Sequence, residues 1–243
     1  MPLMSLDKNQ NTNMRIYKNC KEATSETKRE LKEMGVEIKL ETMQDKVVKD
    51  DPDYYTNELL GYSYRIMDLA DVDEIPVMFG KESEFPWAKA EFIERVDNSQ
   101  KNPGEAYKMR EVWGEFVHEG KFSYTYGERI GDQIGKVVRC LTETPSSRNA
   151  IITIWDREID KERIGGKMRV PCSMYYQFLI RNGKLNQIYN IRSNDLMTHW
   201  CWDVWMAIEI QKLIAEKLGI EVGWFQQQIG SLHAYHKDLK GIF

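Results

Sequence analysis

The chain has 243 residues, with 34 basic and 38 acidic side chains and a formal net charge of −4. That balance lacks the basic excess behind general nucleic-acid affinity, so an anionic ligand would have to be held by a few placed arginines. Hydrophobic residues make up 42% and charged residues 30%, a globular composition with no apolar run as long as a membrane span.

A chain of this size can bury a sizeable core and is read here as a single domain, 1–243, with a polar first 50 residues. "MPLMSLDKNQNTN" lacks the apolar centre of a signal peptide, so a cytoplasmic location is expected. Cys20, Cys140, Cys172 and Cys201 form no C-x-x-C pair, and the histidines are too scattered for zinc spacing. No metal site and no disulfide are expected.

In chain order, "TSETKRELKEMG" predicts a short helix, with Thr27 and Glu30 as a capping box and Gly35 as its stop. Residues 54–80 carry short apolar runs punctuated by Gly61 and Gly80. "WAKAEFIERV", 87–96, and "EAYKMREVWGEFVHEG", 105–120, have helical spacing. "AIITIW", 150–155, is β-branched and predicts a buried strand. "SMYYQFLI" and "LNQIYNI" flank "RNGK", where Asn182-Gly183 suits a two-residue hairpin turn that needs positive φ twice. The 200–218 segment is helical and stops at Gly219, and "VGWFQQQIGSLHAY" follows as a strand. Alternating strands and helices with an antiparallel hairpin predict an α/β or α+β fold around a mixed sheet.

That hairpin brings Cys172, after Pro171, close to Arg192 at the far end of the partner strand. A cationic neighbour raises a thiol's thiolate fraction and can also hold an anion over the sulfur. On these two residues alone, an inert buried cysteine beside a surface arginine is the commoner outcome. A second oddity is Asp203, a carboxylate on the apolar stripe of Trp200, Ala207, Ile210 and Ile214.

Three ordered motifs then coincide: "PCSMYYQF", "RSND" and "GSLHAY". With these the chain resembles the thymidylate synthase family, and within it the phage deoxycytidylate hydroxymethylase branch. Upstream, "VWGEFVHEGKFSYTYG" and "TPSSRN" resemble the family's Trp-rich and Ser-Arg-Arg segments. The resemblance implies a mixed β-sheet packed with helices, and a homodimer formed through the sheet with shared active sites. It also implies a phage-encoded enzyme in the host cytoplasm.

Residue by residue, the resemblance implies that Cys172 is the nucleophile adding to carbon-6 of a pyrimidine, which makes carbon-5 nucleophilic. Arg192 and Ser193 would bind the 5′-phosphate, with Arg148 reaching the phosphate of the neighbouring subunit. Gln177 belongs to the nucleophile motif and is placed with the substrate-binding residues. His233 and Tyr235 would bind the sugar 3′-hydroxyl. Asp195 would face the pterin of 5,10-methylenetetrahydrofolate, and Trp113 the wall on which that cofactor stacks. Glu91 would order water and relay protons. Taken singly, each has a plainer reading: Trp113 as core, Glu91 and Arg148 as solvated surface, and His233 and Tyr235 as core-edge polar groups. His118, His199 and His236 receive no role.

Family members acting on uracil carry asparagine where this chain has Asp203. An amide offers one donor and one acceptor, matching uracil's N–H and carbonyl. Cytosine presents an amino donor in place of that carbonyl, and an ionised carboxylate only accepts. Asp203 could also stabilise a proton on ring nitrogen-3 as the thiolate adds, where charge develops. The plainer reading is an acid in the first helical turn, for which Asp195 and Thr198 are alternative caps.

The expected reaction is therefore folate-dependent hydroxymethylation of deoxycytidylate. The alternatives are carbon-5 methylation of deoxycytidylate or deoxyuridylate, and a non-catalytic nucleotide-binding homologue. Three departures stand out. Asn149 replaces the second arginine of the Ser-Arg-Arg segment. The chain runs only eight residues past Tyr235, where the family implies a closing tail over folate. Arg65 is the candidate for the family's amino-terminal phosphate arginine.

Overall fold

The computed structural model describes residues 14–43, 46–164 and 169–239, so the stretch "MPLMSLDKNQNTN" lies outside the described residues. Strand β1 (Arg15–Asn19) runs straight into helix α1 (Cys20–Met34). Asn19 caps that helix, accepting from the Glu22 amide at 3.0 Å. The expected Thr27–Glu30 capping box is not formed. Thr27 is buried mid-helix and accepts from the Tyr62 hydroxyl at 3.3 Å, because its side of α1 faces the sheet. The helix stops at Gly35, as expected.

After α1 come β2 (Val36–Ile38) and a small separate hairpin of β3 (Thr42–Met43) with β4 (Lys46–Val47). Strand β5 (Thr56–Asp68) is long, and α2 (Glu74–Val77) and α3 (Phe85–Val96) follow it. The 105–120 segment departs from its helical spacing and makes two 3-10 turns, Ala106–Met109 and Glu111–Phe116. Trp113 explains the change, since it packs on Phe116 and His199 instead of lying along one helical stripe.

Next are α4 (Tyr126–Ile130), α5 (Gln133–Glu143), β6 (Ile151–Thr153) and α6 (Arg157–Asp160). The hairpin of β7 (Ser173–Arg181) and β8 (Lys184–Asp195) turns at Asn182 and Gly183, whose φ values are 53° and 74°. Both are left-handed, as a twisted two-residue hairpin requires. A π-helical turn, Leu196–Trp200, leads into α7 (Cys201–Leu218), and β9 (Glu221–Tyr235) and α8 (His236–Leu239) complete the described chain.

The main sheet has the order β1-β5-β9-β8-β7-β6, with β2 also on β5. The β1–β5 and β8–β9 pairs are parallel and the others antiparallel, so the sheet is mixed and the fold α+β as expected. Helices α1, α5 and α7 pack on the face carrying Tyr64, Tyr189 and Phe225. Arg65, Gln177 and Gln226 alternate to the opposite face. Helix α7 is buried almost all round, so Ala207, Ile210 and Ile214 are fully enclosed, as is Trp200 in the turn before it.

Candidate active site

Cys172 directly precedes β7, and the register there sets Ser173 opposite Ile191. The Arg192 amide donates to the Cys172 carbonyl at 2.9 Å, locking the two residues side by side. Arg192 Nη2 lies 3.7 Å from the Cys172 sulfur, while its Nε donates to the Pro171 carbonyl at 2.9 Å. The guanidinium is thus held by backbone and kept beside the thiol. Burial pushes the Cys172 thiol up, Arg192 and Arg169 pull it down, and Asp203 and Asp195 add to the rise. A resting thiol of this kind needs an anion-neutralising cation close by to ionise, and Arg192 is that cation.

The parallel partner strand approaches Arg192 through Gly230, which lies between the pairs Ile191–Ile229 and Ser193–Ser231. A methyl group on Gly230 would sit 2.5 Å from the Arg192 carbonyl oxygen. Only glycine lets β9 come this near. Gly230→Ala is expected to cost about 1–3 kcal/mol of stability. It should also shift Arg192 against the Cys172 sulfur and change how fast that thiol is alkylated; denaturant melts and thiol-labelling kinetics check the two effects separately.

Asp195 ends β8 opposite His233. Its Oδ1 accepts from the Met197 and Thr198 amides at 3.0 and 3.2 Å, so Asp195 is the cap of the π turn. Both bonds fall on one oxygen, which leaves Oδ2 for a further donor. His233 Nδ1 is 3.4 Å from the Ser231 hydroxyl, and its ring meets Tyr235 edge-on at 5.5 Å. Burial pushes Tyr235 up to about 12, so it is a neutral hydroxyl.

Asp203 occupies the first turn of α7 and is partly buried. Burial pushes its carboxyl up to about 7, against the pull of Arg95 and with Asp195 adding to the rise. A carboxylate kept this dry without a direct partner among the described residues is poorly satisfied by its own fold. Next to it, the Tyr126 hydroxyl is 3.1 Å from Ser173 Oγ, which is 2.7 Å from the Tyr189 hydroxyl.

An adjoining cleft is open to solvent, with about 620 Å³ of empty space when its mouth is included. Its walls include Trp87, Tyr107, Trp113, Phe122, Tyr124 and Tyr126, with Glu91, Arg95, Lys101 and Arg169 supplying charge. Cys172 and Asp203 are not in that lining. The chain at Cys172 meets the cleft wall through Ser173, whose Oγ is 3.1 Å from the Tyr126 hydroxyl. Trp87 Nε1 and Trp113 Nε1 are buried there with no hydrogen-bond partner among the described residues. Arg169 stands 5.1 Å from the Trp113 ring centre, and the His199 ring is 5.8 Å away. Burial pushes His199 down to about 4, so it is neutral at physiological pH. Flat aromatic walls edged by charged side chains suit a planar heteroaromatic group of the pteridine class.

Three expected site residues stand apart from this cluster. Gln177 donates from Nε2 to the Arg148 carbonyl at 2.9 Å, on the sheet face away from Tyr126 and Tyr189. Arg148 itself is exposed on the loop before β6. Arg65 lies mid-strand, with Nη2 2.8 Å from Gln226 Oε1 and its guanidinium 3.9 Å over Trp224, rather than beside Arg192. Sequence reasoning assigned nothing to Arg95, Arg169 or His199. The one local signal was the Glu91–Arg95 spacing of four, which reads as a solvated helix pair.

Among the described residues, no helix is long and apolar enough to cross a membrane and no group of side chains is arranged to hold a metal ion. A solved thymidylate synthase of T4 phage superposes with a TM-score of 0.71 at 21% identity, covering 92% of this chain and 79% of that one. Thymidylate synthase A of Bacillus subtilis gives 0.70 at 18%, covering 90% and 81%. By sequence, thymidylate synthase 1 of Bacillus amyloliquefaciens is 24% identical over 185 residues, 71% of this chain and 79% of that protein. A Methanocaldococcus jannaschii protein that carries a thymidylate synthase name is 32% identical over 130 residues, 53% of this chain and 59% of that one. The thymidylate synthase family profile itself matches residues 43–242. With fold and sequence agreeing over most of its length, the chain belongs to the thymidylate synthase family.

Proposed function

We propose that the chain, acting as a single domain, hydroxymethylates deoxycytidylate at carbon-5, taking methylenetetrahydrofolate and water and releasing 5-hydroxymethyldeoxycytidylate and tetrahydrofolate. The observation that carries the choice of base is the poorly satisfied carboxylate of Asp203 beside Cys172. An acceptor-only group matches the 4-amino group of cytosine and opposes the 4-carbonyl of uracil. A site whose buried polar groups go unpaired with the wrong ligand discriminates strongly.

In this reading Cys172 adds as thiolate to carbon-6, with Arg192 favouring the ionised sulfur and gripping the 5′-phosphate alongside Ser193. Asp203 accepts from the amino group and, as a carboxylate, stabilises the proton that nitrogen-3 takes up from water as the sulfur adds, draining charge from the ring. His233 and Tyr235 take the sugar hydroxyl. Glu91, in the cleft wall, orders water and carries the carbon-5 proton away. Trp113 and Asp195 hold the folate, which when bound supplies the one-carbon unit at the formaldehyde level. The reading includes a two-fold dimer through the open sheet face, where the exposed Arg148 loop would reach the nucleotide of the second copy. Gln177 then serves the substrate indirectly, by bracing the Arg148 loop.

Incubation with deoxycytidylate, deoxyuridylate and methylenetetrahydrofolate, read by product mass, tests this. A hydroxymethyl product gains about 30 mass units and a methyl product about 14. Deoxycytidylate gaining about 30 is expected. A methyl product would transfer the reading to a methyltransferase, and no product from either nucleotide would leave a binding protein.

A further inference from the structure

Ser231 and His233 stand two residues apart on β9, so both point to the sheet face that also carries Ser193 and Asp195 from β8 and Glu58 from β5. Glu58 is the direct cross-strand partner of His233, yet its carboxylate reaches diagonally and accepts from the Ser231 hydroxyl. The Ser231 oxygen is also 3.4 Å from His233 Nδ1. His233 Nε2 has no hydrogen-bond partner among the described residues, and the residue is partly exposed. The three side chains thus form a line, Glu58–Ser231–His233, that ends on an open ring nitrogen. A serine hydroxyl carries one proton, and an ionised carboxylate only accepts. With that proton given to Glu58, the serine oxygen meets the ring as an acceptor, so Nδ1 must carry the N–H. A neutral imidazole has a single N–H, and Nε2 is left as a lone pair.

We propose that Glu58 and Ser231 are positioning residues that fix the tautomer of His233, holding its proton on Nδ1 and presenting Nε2 to the nucleotide as an acceptor. That the group meeting Nε2 is the sugar 3′-hydroxyl rests on the function proposed above; the tautomer does not. Without the serine oxygen, nothing among the described contacts holds a proton on Nδ1, and the ring is free to return to the Nε2–H form that a histidine side chain favours in water. The same nitrogen would then face the ligand as a donor. Tyr235 meets the ring edge-on at 5.5 Å, and its neutral hydroxyl can donate. Together the two residues impose a direction: the sugar hydroxyl gives its proton to His233 and takes one from Tyr235. A ring locked in this way selects for a hydrogen-bond donor at the 3′ position, not for any polar group.

The direct test is a long-range nitrogen–proton correlation spectrum of protein labelled at the histidine nitrogens, taken above the pH at which the ring signals stop moving. His233→Gln identifies the signals of His233 among those of the four histidines. The wild type should show the Nδ1–H pattern for His233 and Ser231→Ala a majority of Nε2–H. Glu58→Ala frees the serine proton and should give a mixture of the two. Ser231→Thr, which keeps a hydroxyl, should restore Nδ1–H. Titration with the 3′-amino and 3′-fluoro analogues of deoxycytidylate supplies a second reading, since the first carries a donor and the second none. The wild type should favour the amino analogue by at least about tenfold, and Ser231→Ala should cut that ratio by about fivefold or more. An Nε2–H pattern in the wild type, a measurement that needs no variant to fold, would overturn the inference. So would an unchanged tautomer in a folded Ser231→Ala protein. A tautomer that shifts as expected while the amino-to-fluoro ratio stays fixed would uphold the relay and remove His233 as the partner of the sugar.

Discussion

Replacing Cys172 by serine is expected to abolish turnover of either pyrimidine nucleotide while leaving nucleotide binding within a few-fold of the wild type. The hydroxyl occupies nearly the same volume, so the hairpin end and the Arg192–Cys172 backbone bond at 2.9 Å should survive. What disappears is a soft nucleophile whose ionisation Arg192 can support. A serine hydroxyl beside the same guanidinium has no base within the described contacts to take its proton, and arginine cannot act as one. The loss should be on the order of 10⁴-fold or more in kcat. Rapid quenching and intact-protein mass spectrometry supply an independent reading: wild-type protein should carry a nucleotide adduct and Cys172→Ser should carry none. Residual activity within about 100-fold of wild type would remove Cys172 as the nucleophile.

The parts of this site that were legible in the sequence are those set by local chemistry or by register. Asn182-Gly183 fixes its hairpin through two positive φ angles, and the hairpin alone predicts that Cys172 and Arg192 meet. Gly219 ends α7 for an equally local reason, a left-handed cap at φ 65°. Elements held by distant contacts were not legible. The 105–120 segment carries helical spacing, but Trp113 spends its ring on the cleft wall and the backbone follows in 3-10 turns. The polar amino-terminal region hid β1, because its one buried side chain, Tyr17, makes its contacts with Glu30 and Tyr62. Arg95 was invisible for a related reason. Along α3 it is an ordinary partner of Glu91, and only the folded chain sets its guanidinium over Tyr126 in the cleft wall.

Asp203→Asn is expected to move the preference from deoxycytidylate toward deoxyuridylate by at least about tenfold, since one mismatched polar contact in a dry site costs that much or more. The same substitution separates a carboxylate kept for function from one kept for the fold. The folded-state value of Asp203, about 7, lies above its ordinary 3.8. Between those values the folded chain binds the proton more tightly than the unfolded one, so this group's contribution to stability falls as pH rises and levels off above about 7. The gap corresponds to about 4 kcal/mol at most. Asparagine has no charge to desolvate, so the substitution should leave stability unchanged below pH 4 and raise it progressively through neutrality, reaching a plateau by pH 8. The pH dependence of activity should run the other way. Deoxycytidylate turnover by the wild type should fall as acidification through about 7 protonates Asp203, whereas the Asn variant should lose that limb of the profile. A variant that is stabler above neutrality yet poorer with cytosine is the behaviour of a site residue held at the expense of stability. An unchanged base preference in a folded Asp203→Asn protein would assign the reading of the base to another group. A loss of stability at pH 8 would make Asp203 part of the structural core instead.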